Sequence, residues 1–369
     1  MKKKQYDIAA YFWPSYQSKE PRARLFWPKG EGEWEVVKEA KPLFEGHHWP
    51  RIPLWGYLDE SNPVSMEFEI EEATKYGINT FIFDWYFYDS RPFLQACLDE
   101  GFLKAKNNTK MKFYLMWANH NVTYGWDKRN STKDYDTYIY SGEVTLDEFK
   151  TIGNTWINKY FKLENYYKID NKPVLSIYDI CNLIKGLKNI NKTKEALLWL
   201  DNRCKEVGFN GIHYQVIDYG KLETSLSGFD EKKVFTIDEL AKLLPINSVT
   251  HYQFIHFTYA KDYVEMCKIA YNEWENEHNK YTIPYYPHVS IGWDNTPRYP
   301  IKTNNICTNN TADNFEKALR KAKEFANKNN VNLITINSWN EWTEDSYLIP
   351  DDYHGYSLLE AIKKVFIDE

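Results

Sequence analysis

The sequence alternates short apolar runs with longer segments of helical periodicity, and this alternation constrains the fold more than any other feature. The apolar runs have strand length and are rich in β-branched and aromatic residues, which favour strands. Between them, start and stop residues frame helices: Ser65 precedes an acidic turn and Gly77 ends the periodic stretch, which predicts a helix over Ser65–Tyr76. The predicted strands are Asp7–Phe12, Asn79–Trp85, Lys112–Trp117, Pro173–Tyr178, Gly211–Val216, Val249–Phe254, Ile283–Val289 and Asn332–Asn337. The other predicted helices are Leu146–Phe161, Thr193–Val207, Asp262–His278, Ala312–Asn327 and Tyr356–Ile367.

Short strands that are buried on both faces and separated by helical crossovers indicate a parallel sheet. Eight of them in 369 residues fit a TIM-type (β/α)8 barrel with long loops after the strands, because that fold occupies about 200 to more than 400 residues. An open doubly wound sheet is the rival, but no GxGxxG motif follows the first strand. No linker, charge block or fixed repeat divides the chain, so we expect a single domain over residues 1–369.

The charge balance and the hydropathy argue against several classes of partner. Lysine and arginine number 46 against 52 aspartates and glutamates, whereas nucleic-acid binding relies on a surplus of basic residues. No run of about 18 apolar residues is present, so no membrane span is expected. The N-terminal residues lack the apolar segment of a signal peptide, and we expect a cytoplasmic protein. Five widely spaced cysteines without a CxxC pair predict free thiols and no zinc site.

Residues that close the apolar runs are the candidates for function, because the active site of a (β/α)8 barrel lies at the carboxyl ends of its strands. They are mostly aromatic, amide and carboxylate side chains, in a chain with 17% aromatic residues. Trp and Tyr have flat apolar faces and a polar edge, which suit stacking on sugar rings as well as ordinary packing. The predicted substrate-binding residues are Tyr11, Trp13, Asp84, Trp85, Trp117, Asn119, His120, Tyr178, Tyr252, Trp293, Asp294, Trp339, Asn340 and Trp342.

Several of these candidates also have a purely structural interpretation. Asp84 binds a sugar hydroxyl or caps the loop after its strand, and His120 binds a hydroxyl or is a buried structural histidine. Asp294 contacts substrate or forms a loop salt bridge with Arg298. His47 and His48 lie in the long loop after the first strand, where they line the cleft or are exposed.

The motifs favour acetal hydrolysis over other hydrolytic chemistries. The sequence has no nucleophilic Ser or Cys elbow, no HExxH and no P-loop. Two carboxylates among stacking aromatics are what acetal hydrolysis needs. One carboxyl protonates the departing oxygen, and the other acts as base, nucleophile or charge stabiliser.

Glu341 and Glu344 are the predicted catalytic pair. Three-residue spacing on a helical turn brings their Cβ atoms to about 5–6 Å, close enough for each to raise the other's pKa. The alternative is a solvated pair in the turn before Pro350. The neighbouring Trp339 and Trp342 count against it, because an exposed acidic turn rarely carries two tryptophans.

The same segment resembles a known family. Residues 338–344 read SWNEWTE, and Tyr347, Leu348, Pro350, Gly355, Tyr356 and Leu359 follow. This pattern is similar to the signature of WbsX-like proteins, which are related to glycoside hydrolase family 99. Further blocks agree in order over most of the chain: Tyr11–Pro14, Asp84–Tyr86, Trp117–Asn119, Tyr167–Tyr178 and Gly292–Arg298.

The resemblance implies a (β/α)8 barrel and retaining endo-action on α-mannosidic linkages. It further implies that Glu341 assists the substrate's own 2-hydroxyl, giving a 1,2-anhydrosugar intermediate, and that Glu344 is the acid/base. The sequence departs from the family at Asp345, where Gly is usual, and at Ile349, where Glu is common. We expect these departures to affect the shape of the turn and the sugar specificity.

Two other functions stay open beside hydrolysis of an oligosaccharide or polysaccharide. WbsX-like proteins also occur in glycan assembly, and a glycosyltransferase would use a nucleotide-sugar donor and a divalent metal. The triplet Asp134-Tyr135-Asp136 is a short candidate for holding that metal. A hydrolase needs neither, so the leading hypothesis predicts no metal and no cofactor. A non-catalytic glycan-binding barrel is the third possibility, and the sequence leaves the oligomeric state unassigned.

Overall fold

The computed structural model describes residues 4–127, 137–219, 235–300 and 306–369. Within them, eight parallel strands form the barrel: β1 (Asp7–Phe12), β2 (Thr80–Tyr88), β3 (Lys112–Trp117), β4 (Lys172–Ile177), β5 (His213–Ile217), β6 (Ile246–Thr250), β7 (His288–Ser290) and β8 (Leu333–Asn337). They pair in the order β6-β5-β4-β3-β2-β1-β8-β7. The ring closes where Val249 of β6 bridges Tyr285 in parallel, and the Tyr286 N–H donates to the Val249 carbonyl at 2.9 Å. The predicted (β/α)8 fold is confirmed.

Helices surround this barrel and follow the strands in the order expected of the fold. Those of the described residues are α1 (Trp34–Glu39), α2 (Pro63–Lys75), α3 (Leu146–Trp156), α4 (Ile180–Gly186), α5 (Ile190–Glu206), α6 (Ile237–Leu243), α7 (Tyr263–Lys280), α8 (Ala312–Lys328) and α9 (Ser357–Lys363). Capping side chains start several of them: Thr145 and Glu148 form a capping box on α3, and Asp262 accepts from the Val264 N–H of α7 at 2.9 Å. Both α3 and α9 continue into a π-helical turn, Ile157–Phe161 and Lys364–Asp368.

Several predicted element boundaries are wrong, most clearly those of α2, β6 and β7. Helix α2 begins at Pro63 rather than after Ser65, because Asn62 accepts from the Val64 N–H and Pro63 presets the helical φ. Strand β6 ends at Thr250, four residues before the predicted end. Strand β7 starts only at His288, since Pro284 and Pro287 lack the N–H groups that a ladder requires.

The alternation of side chains along β2 decides what reaches the mouth of the barrel. Phe83 and Trp85 point outward, where Phe83 meets Phe102 and Trp85 meets Trp156 at ring-centroid distances of 5.2 Å. Asp84 and its neighbour two residues on, Tyr86, point the other way and line a cavity. A strand-end residue therefore belongs to the site only on the inward face.

The five cysteines are buried free thiols, as predicted. No helix in the part of the chain that the structure describes is long and apolar enough to cross a bilayer. Among the same residues, no group of three or more His, Cys, Asp or Glu side chains is arranged to hold a metal ion. The Asp134–Asp136 triplet lies outside the described residues.

Candidate active site

A cavity of about 370 Å³ lies at the carboxyl ends of the strands, with aromatic walls and several carboxyl groups. Eight of the sequence-predicted residues line it: Trp13, Asp84, His120, Tyr178, Tyr252, Trp293, Glu341 and Glu344. They come from the ends of seven different strands or the turns that follow them. The barrel thus gathers side chains that are far apart in the sequence around one space.

The two predicted catalytic glutamates are held on a tight turn after β8. Asn340–Glu341 pairs antiparallel with Ser346–Tyr347, and Trp342–Glu344 forms a single 3-10 turn between them. Ser338 fixes the start of the turn, because its Oγ accepts from the Glu341 N–H at 2.7 Å and donates to the Ser346 carbonyl at 2.7 Å. Both carboxyl groups consequently face the cavity.

A single arginine contacts three carboxylates in the cavity. Arg298 donates from Nη1 to Glu344 Oε1 at 2.8 Å and from Nη2 to Glu341 Oε2 at 3.2 Å. Its Nε donates to Glu33 Oε1 at 2.7 Å. The planar guanidinium therefore holds Glu341 and Glu344 by adjacent nitrogens and is itself fixed from a third side.

Glu33 anchors this arginine and is satisfied by further donors. The Trp13 indole N–H and Ser15 Oγ donate to Glu33 Oε2, the latter at 3.1 Å, and Thr343 Oγ1 donates to Oε1 at 3.0 Å. Glu33 lies after Gly32, whose φ of 64° and whose close approach to the Ser15 carbonyl exclude a side chain. The loop after β1 is thereby tied to the turn that carries Glu341 and Glu344.

The protonation of the two glutamates is set by burial and by their neighbours. Burial raises the pKa of Glu341, the charge of Glu344 raises it further, and Arg298 opposes the rise. Burial likewise raises the pKa of Glu344 against the effect of Arg298. Burial alone lowers the pKa of Arg298, but the three carboxylates more than reverse this. The site thus favours a neutral carboxyl beside an ionised one, the combination that acid–base catalysis requires.

Tyr252 connects a third carboxyl to the pair formed by Glu341 and Glu344. Its hydroxyl oxygen lies 3.1 Å from Asp84 Oδ2 and 2.9 Å from Glu341 Oε1. Burial raises the pKa of Asp84 well above its usual value. The other carboxyl oxygen, Oδ1, is buried and has no hydrogen-bond partner in the part of the chain that the structure describes.

His120 and Tyr178 form a neighbouring part of the wall. Their rings meet edge to face at 5.3 Å, and His120 Nδ1 lies 3.0 Å from the Asn121 carbonyl oxygen. Burial lowers the pKa of His120, which keeps the imidazole neutral near pH 7. Of the two loop histidines, His47 is buried and His48 is exposed.

Five predicted substrate-binding aromatics do not line the cavity. Tyr11 points into the barrel and donates to the His251 carbonyl at 3.0 Å. Trp85 and Trp117 face outward onto Trp156, as strand alternation dictates. Trp339 donates from Nε1 to Glu69 at 2.8 Å, and Trp342 stacks on Tyr347 at 3.9 Å. Trp339 thus fastens the turn to α2, and Trp342 packs within the turn itself.

Three predicted polar residues also lie behind the cavity, where they hold its backbone. Asn119 exchanges hydrogen bonds with the backbone of Asp179 at 2.7 and 2.8 Å. Asn340 clamps the backbone of Trp13 in the same way, at 2.7 and 2.8 Å. Asp294 accepts from the Trp49 indole at 2.8 Å and lies 2.7 Å from His47 Nε2, so its partner is not Arg298. These residues position the wall without lining it.

The family departure at Asp345 has a clear structural basis. Asp345 adopts a left-handed conformation, with φ 50°, which Asp tolerates better than most residues. Arg51 and Asn310 donate to its carboxylate at 3.2 and 3.1 Å. A Cβ at Gly292 would lie 2.5 Å from the Asp345 carbonyl oxygen, and the Asp294 N–H donates to the Glu344 carbonyl at 2.7 Å. The loops after β7 and β8 are therefore locked together. The second departure, Ile349, is buried.

Sequence reasoning missed several residues of the cavity wall. Tyr86 follows Asp84 by two positions on the same strand face, so the period of the strand was a usable indication. Trp27, Glu33 and Trp126 lie in loops without periodicity, where no pattern in one sequence marks them. Arg298 was noted only as a salt-bridge partner for Asp294.

Comparisons with known proteins agree with the fold. A solved glycoside hydrolase-like protein superposes with a TM-score of 0.61 at 16% identity, over 99% of this chain and 94% of that one. The GH99 endo-alpha-mannosidase from Bacteroides thetaiotaomicron superposes with a TM-score of 0.57 at 14% identity, over 98% and 96%. At these identities the likeness shows the fold alone.

Sequence comparison identifies the family of the chain. Protein WxcX from Xanthomonas campestris pv. campestris is 25% identical over 362 residues, which cover 97% of this chain and 49% of WxcX. The chain thus spans about half the length of the curated relatives it matches. A family model described as glycosyltransferase WbsX matches residues 8–362. With a match over nearly its whole length, the chain belongs to the WbsX family.

Proposed function

We propose that the protein is a glycan-active enzyme that hydrolyses an α-linked glycan, mannose-containing or related, with retention of configuration. The observation that carries this proposal is the placement of Glu341 and Glu344. Glu341 is buried and Glu344 is partly buried, both face one cavity, and both are held by adjacent nitrogens of Arg298. Two carboxyl groups in different protonation states are the minimum that acetal hydrolysis requires.

In the proposed reaction Glu341 accepts the proton of the substrate 2-hydroxyl while that oxygen attacks the anomeric carbon. Glu344 donates its proton to the glycosidic oxygen as the bond to the anomeric carbon breaks, which leaves a 1,2-anhydrosugar. Glu344 then deprotonates water, which opens the anhydro ring at the anomeric carbon, and Glu341 returns the proton to the 2-oxygen. Arg298 contacts both glutamates and stabilises whichever one is ionised at each stage.

The walls of the cavity suit a sugar. Trp13, Trp126, Tyr178 and Trp293 contribute aromatic surface, and such rings pack against the apolar faces of pyranosides. Asp84, His120 and Asn121 supply polar groups between them. This mixture of aromatic faces and a few convergent polar groups is typical of ligand pockets.

A glycosyltransferase of surface-polysaccharide assembly is the second candidate, and the description of the family model favours it. The electrostatics of the cavity favour the hydrolase. In the described part of the wall, Arg298 is the single lysine or arginine, and three carboxylates already engage it. A nucleotide diphosphate would meet several carboxyl groups there rather than the basic side chains that usually bind phosphates.

The experiment is release of reducing sugar from a panel of α-linked glycans in the presence of EDTA. We expect the wild type to be active and Glu341→Gln and Glu344→Gln each to lose about 10²-fold or more, the scale of a missing acid–base group. Glu360→Gln, on the exposed face of α9, is the matched control and should keep the wild-type rate.

Each alternative function predicts a different result in this assay. A non-catalytic glycan-binding barrel would bind glycans but release no sugar, in the wild type and in both glutamate variants alike. Release of no sugar from any glycan, together with Mg²⁺- or Mn²⁺-dependent binding of a nucleotide sugar, would refute the hydrolase and support the transferase.

A further inference from the structure

Asp84, Tyr252 and Glu341 form a continuous hydrogen-bonded chain at the base of the cavity. The Tyr252 hydroxyl lies between Asp84 Oδ2 and Glu341 Oε1, at 3.1 and 2.9 Å. A hydroxyl has one hydrogen, so it donates to only one of these carboxyls at a time. The second contact is a full hydrogen bond only if the other carboxyl is protonated and donates to the tyrosine oxygen.

The surroundings decide which carboxyl keeps the proton. Glu341 receives a charged donor, Arg298 Nη2, in addition to the tyrosine. Among the described residues, Asp84 has no such donor: it is 5% exposed, its Oδ1 has no partner there, and Tyr252 is its one hydrogen-bonding neighbour. An ionised carboxylate buried with so few donors is costly, whereas a neutral acid there is not.

The titratable groups of the described residues that face Asp84 are phenols and carboxyls, and none of them is a cation that would stabilise an ionised Asp84. Four phenols lie close enough to interact electrostatically with an ionised Asp84: those of Tyr11 on β1, Tyr86 on β2, Tyr178 after β4 and Tyr252 after β6. The carboxyls are Glu341 and Glu344 of the turn after β8. Burial raises the pKa of Asp84, the hydrogen bond with Tyr252 opposes this rise, and the charge of Glu344 adds to it.

We propose that Asp84 is a positioning residue that stays a neutral acid, donates its proton from Oδ2 to the Tyr252 oxygen, and thereby commits the Tyr252 hydrogen to Glu341. Glu341 is then held as an anion by Tyr252 and Arg298 together. For the reaction, this inference rests on the proposed function, in which Glu341 must be ionised to accept the 2-hydroxyl proton. No proton moves along the chain in the catalytic step; Asp84 acts only through the orientation of the tyrosine.

The proposal predicts a specific pH dependence. As pH rises through the pKa of Asp84, the new Asp84 anion competes for the Tyr252 hydrogen, and Glu341 loses a donor. The rate should therefore fall on the alkaline side. An asparagine at this position carries an N–H that donates at every pH and cannot ionise. The part of the alkaline fall that is due to Asp84 should therefore disappear, and only the limb set by the general acid Glu344 should remain.

The kinetic test compares Asp84→Asn, Asp84→Ala and Tyr252→Phe over a range of pH. We expect Asp84→Asn to exceed Asp84→Ala in rate by about 10-fold or more, the factor that a hydrogen bond to a charged group contributes. Tyr252→Phe should lose as much as Asp84→Ala. Equal rates for the asparagine and alanine variants, or an alkaline limb with the same midpoint and shape in Asp84→Asn as in the wild type, would overturn the proposal.

A second measurement needs no substrate and separates this inference from the proposed function. The infrared carbonyl stretch of a protonated carboxyl should be present near pH 7 in the wild type and absent from Asp84→Asn. Glu60→Gln, which alters a buried carboxyl outside the cavity, should leave that particular band in place. If the wild type showed the carboxyl band but cleaved no glycan, only the proposed hydrolase activity would be refuted. If Asp84→Asn kept every carboxyl band of the wild type, the inference would be refuted even for an active enzyme.

Discussion

Arg298→Met is the substitution whose effect the structure defines most fully. It preserves most of the side-chain volume and removes the charge that contacts three carboxylates at 2.7 to 3.2 Å. Glu33 keeps three other donors, so the loss falls mainly on Glu341 and Glu344. Removing one partner of a buried ion pair costs about 3–5 kcal/mol, and we expect a decrease of that size in the free energy of unfolding.

The size of this decrease should depend on pH. Arg298 opposes the burial that raises the pKa of Glu341 and Glu344, so both pKa values rise further without it. In the unfolded chain these carboxyls ionise near pH 4.3. A carboxyl with a raised folded pKa costs stability once the pH exceeds the unfolded value, and the cost grows until the folded value is reached. The deficit of the variant should thus be smaller at about pH 5 than at about pH 7.5.

The assay is urea unfolding of Arg298→Met and the wild type at both pH values. Arg320→Met is the matched control, because Arg320 also contacts two carboxylates, Glu316 and Glu369, but on the exposed surface. Exposed pairs contribute little, so its unfolding midpoint should hardly move. The reasoning is refuted if both variants shift the midpoint equally, or if the deficit of Arg298→Met does not change with pH.

Two further predictions concern other parts of the molecule. Burial raises the pKa of Glu69 to about 7, so the wild type should lose up to about 3 kcal/mol of stability from this group as pH rises from about 4.5 to 7. Glu69→Gln should flatten the dependence of the unfolding free energy on pH, and an unchanged slope in urea titrations would contradict the assignment. Trp126→Ala removes a cavity-wall ring that meets Trp13 at 5.3 Å and should raise KM for a glycan substrate roughly 2- to 12-fold with a smaller change in kcat. A fall in kcat with KM unchanged would indicate that this ring acts on the reacting centre instead.

The fold was predictable because the barrel strands are buried on both faces and so appear as nearly continuous apolar runs. Strands β1 and β3 have the predicted boundaries, Asp7–Phe12 and Lys112–Trp117. The weakest predictions were β6 and β7, which are five and three residues long. Prolines and a short pairing register, rather than apolar content, determine where those two strands begin and end.

The site was predictable only in part, because a strand end supplies both inward and outward residues. The rule that active sites lie at strand ends selects both Asp84 and Trp85. Only the alternation of side chains along the strand distinguishes the inward Asp84 from the outward Trp85. The pairing of Glu33 with Arg298 lay beyond sequence reasoning of this kind. The two residues are 265 positions apart, and their contact exists only once the loops after β1 and β7 fold over the same cavity.

The close approach of Gly292 to Asp345 limits how this barrel can be diversified. Loop exchange between barrels is usually treated as modular, one loop at a time. Here the turn that bears Glu344 rests on a glycine of the preceding loop, and a backbone hydrogen bond from Asp294 joins the two. A graft that replaces either segment alone would bring a side chain against the carbonyl at position 345 or lose that bond. The loops after β7 and β8 therefore act as one structural unit. Attempts to change the substrate specificity should exchange both loops together.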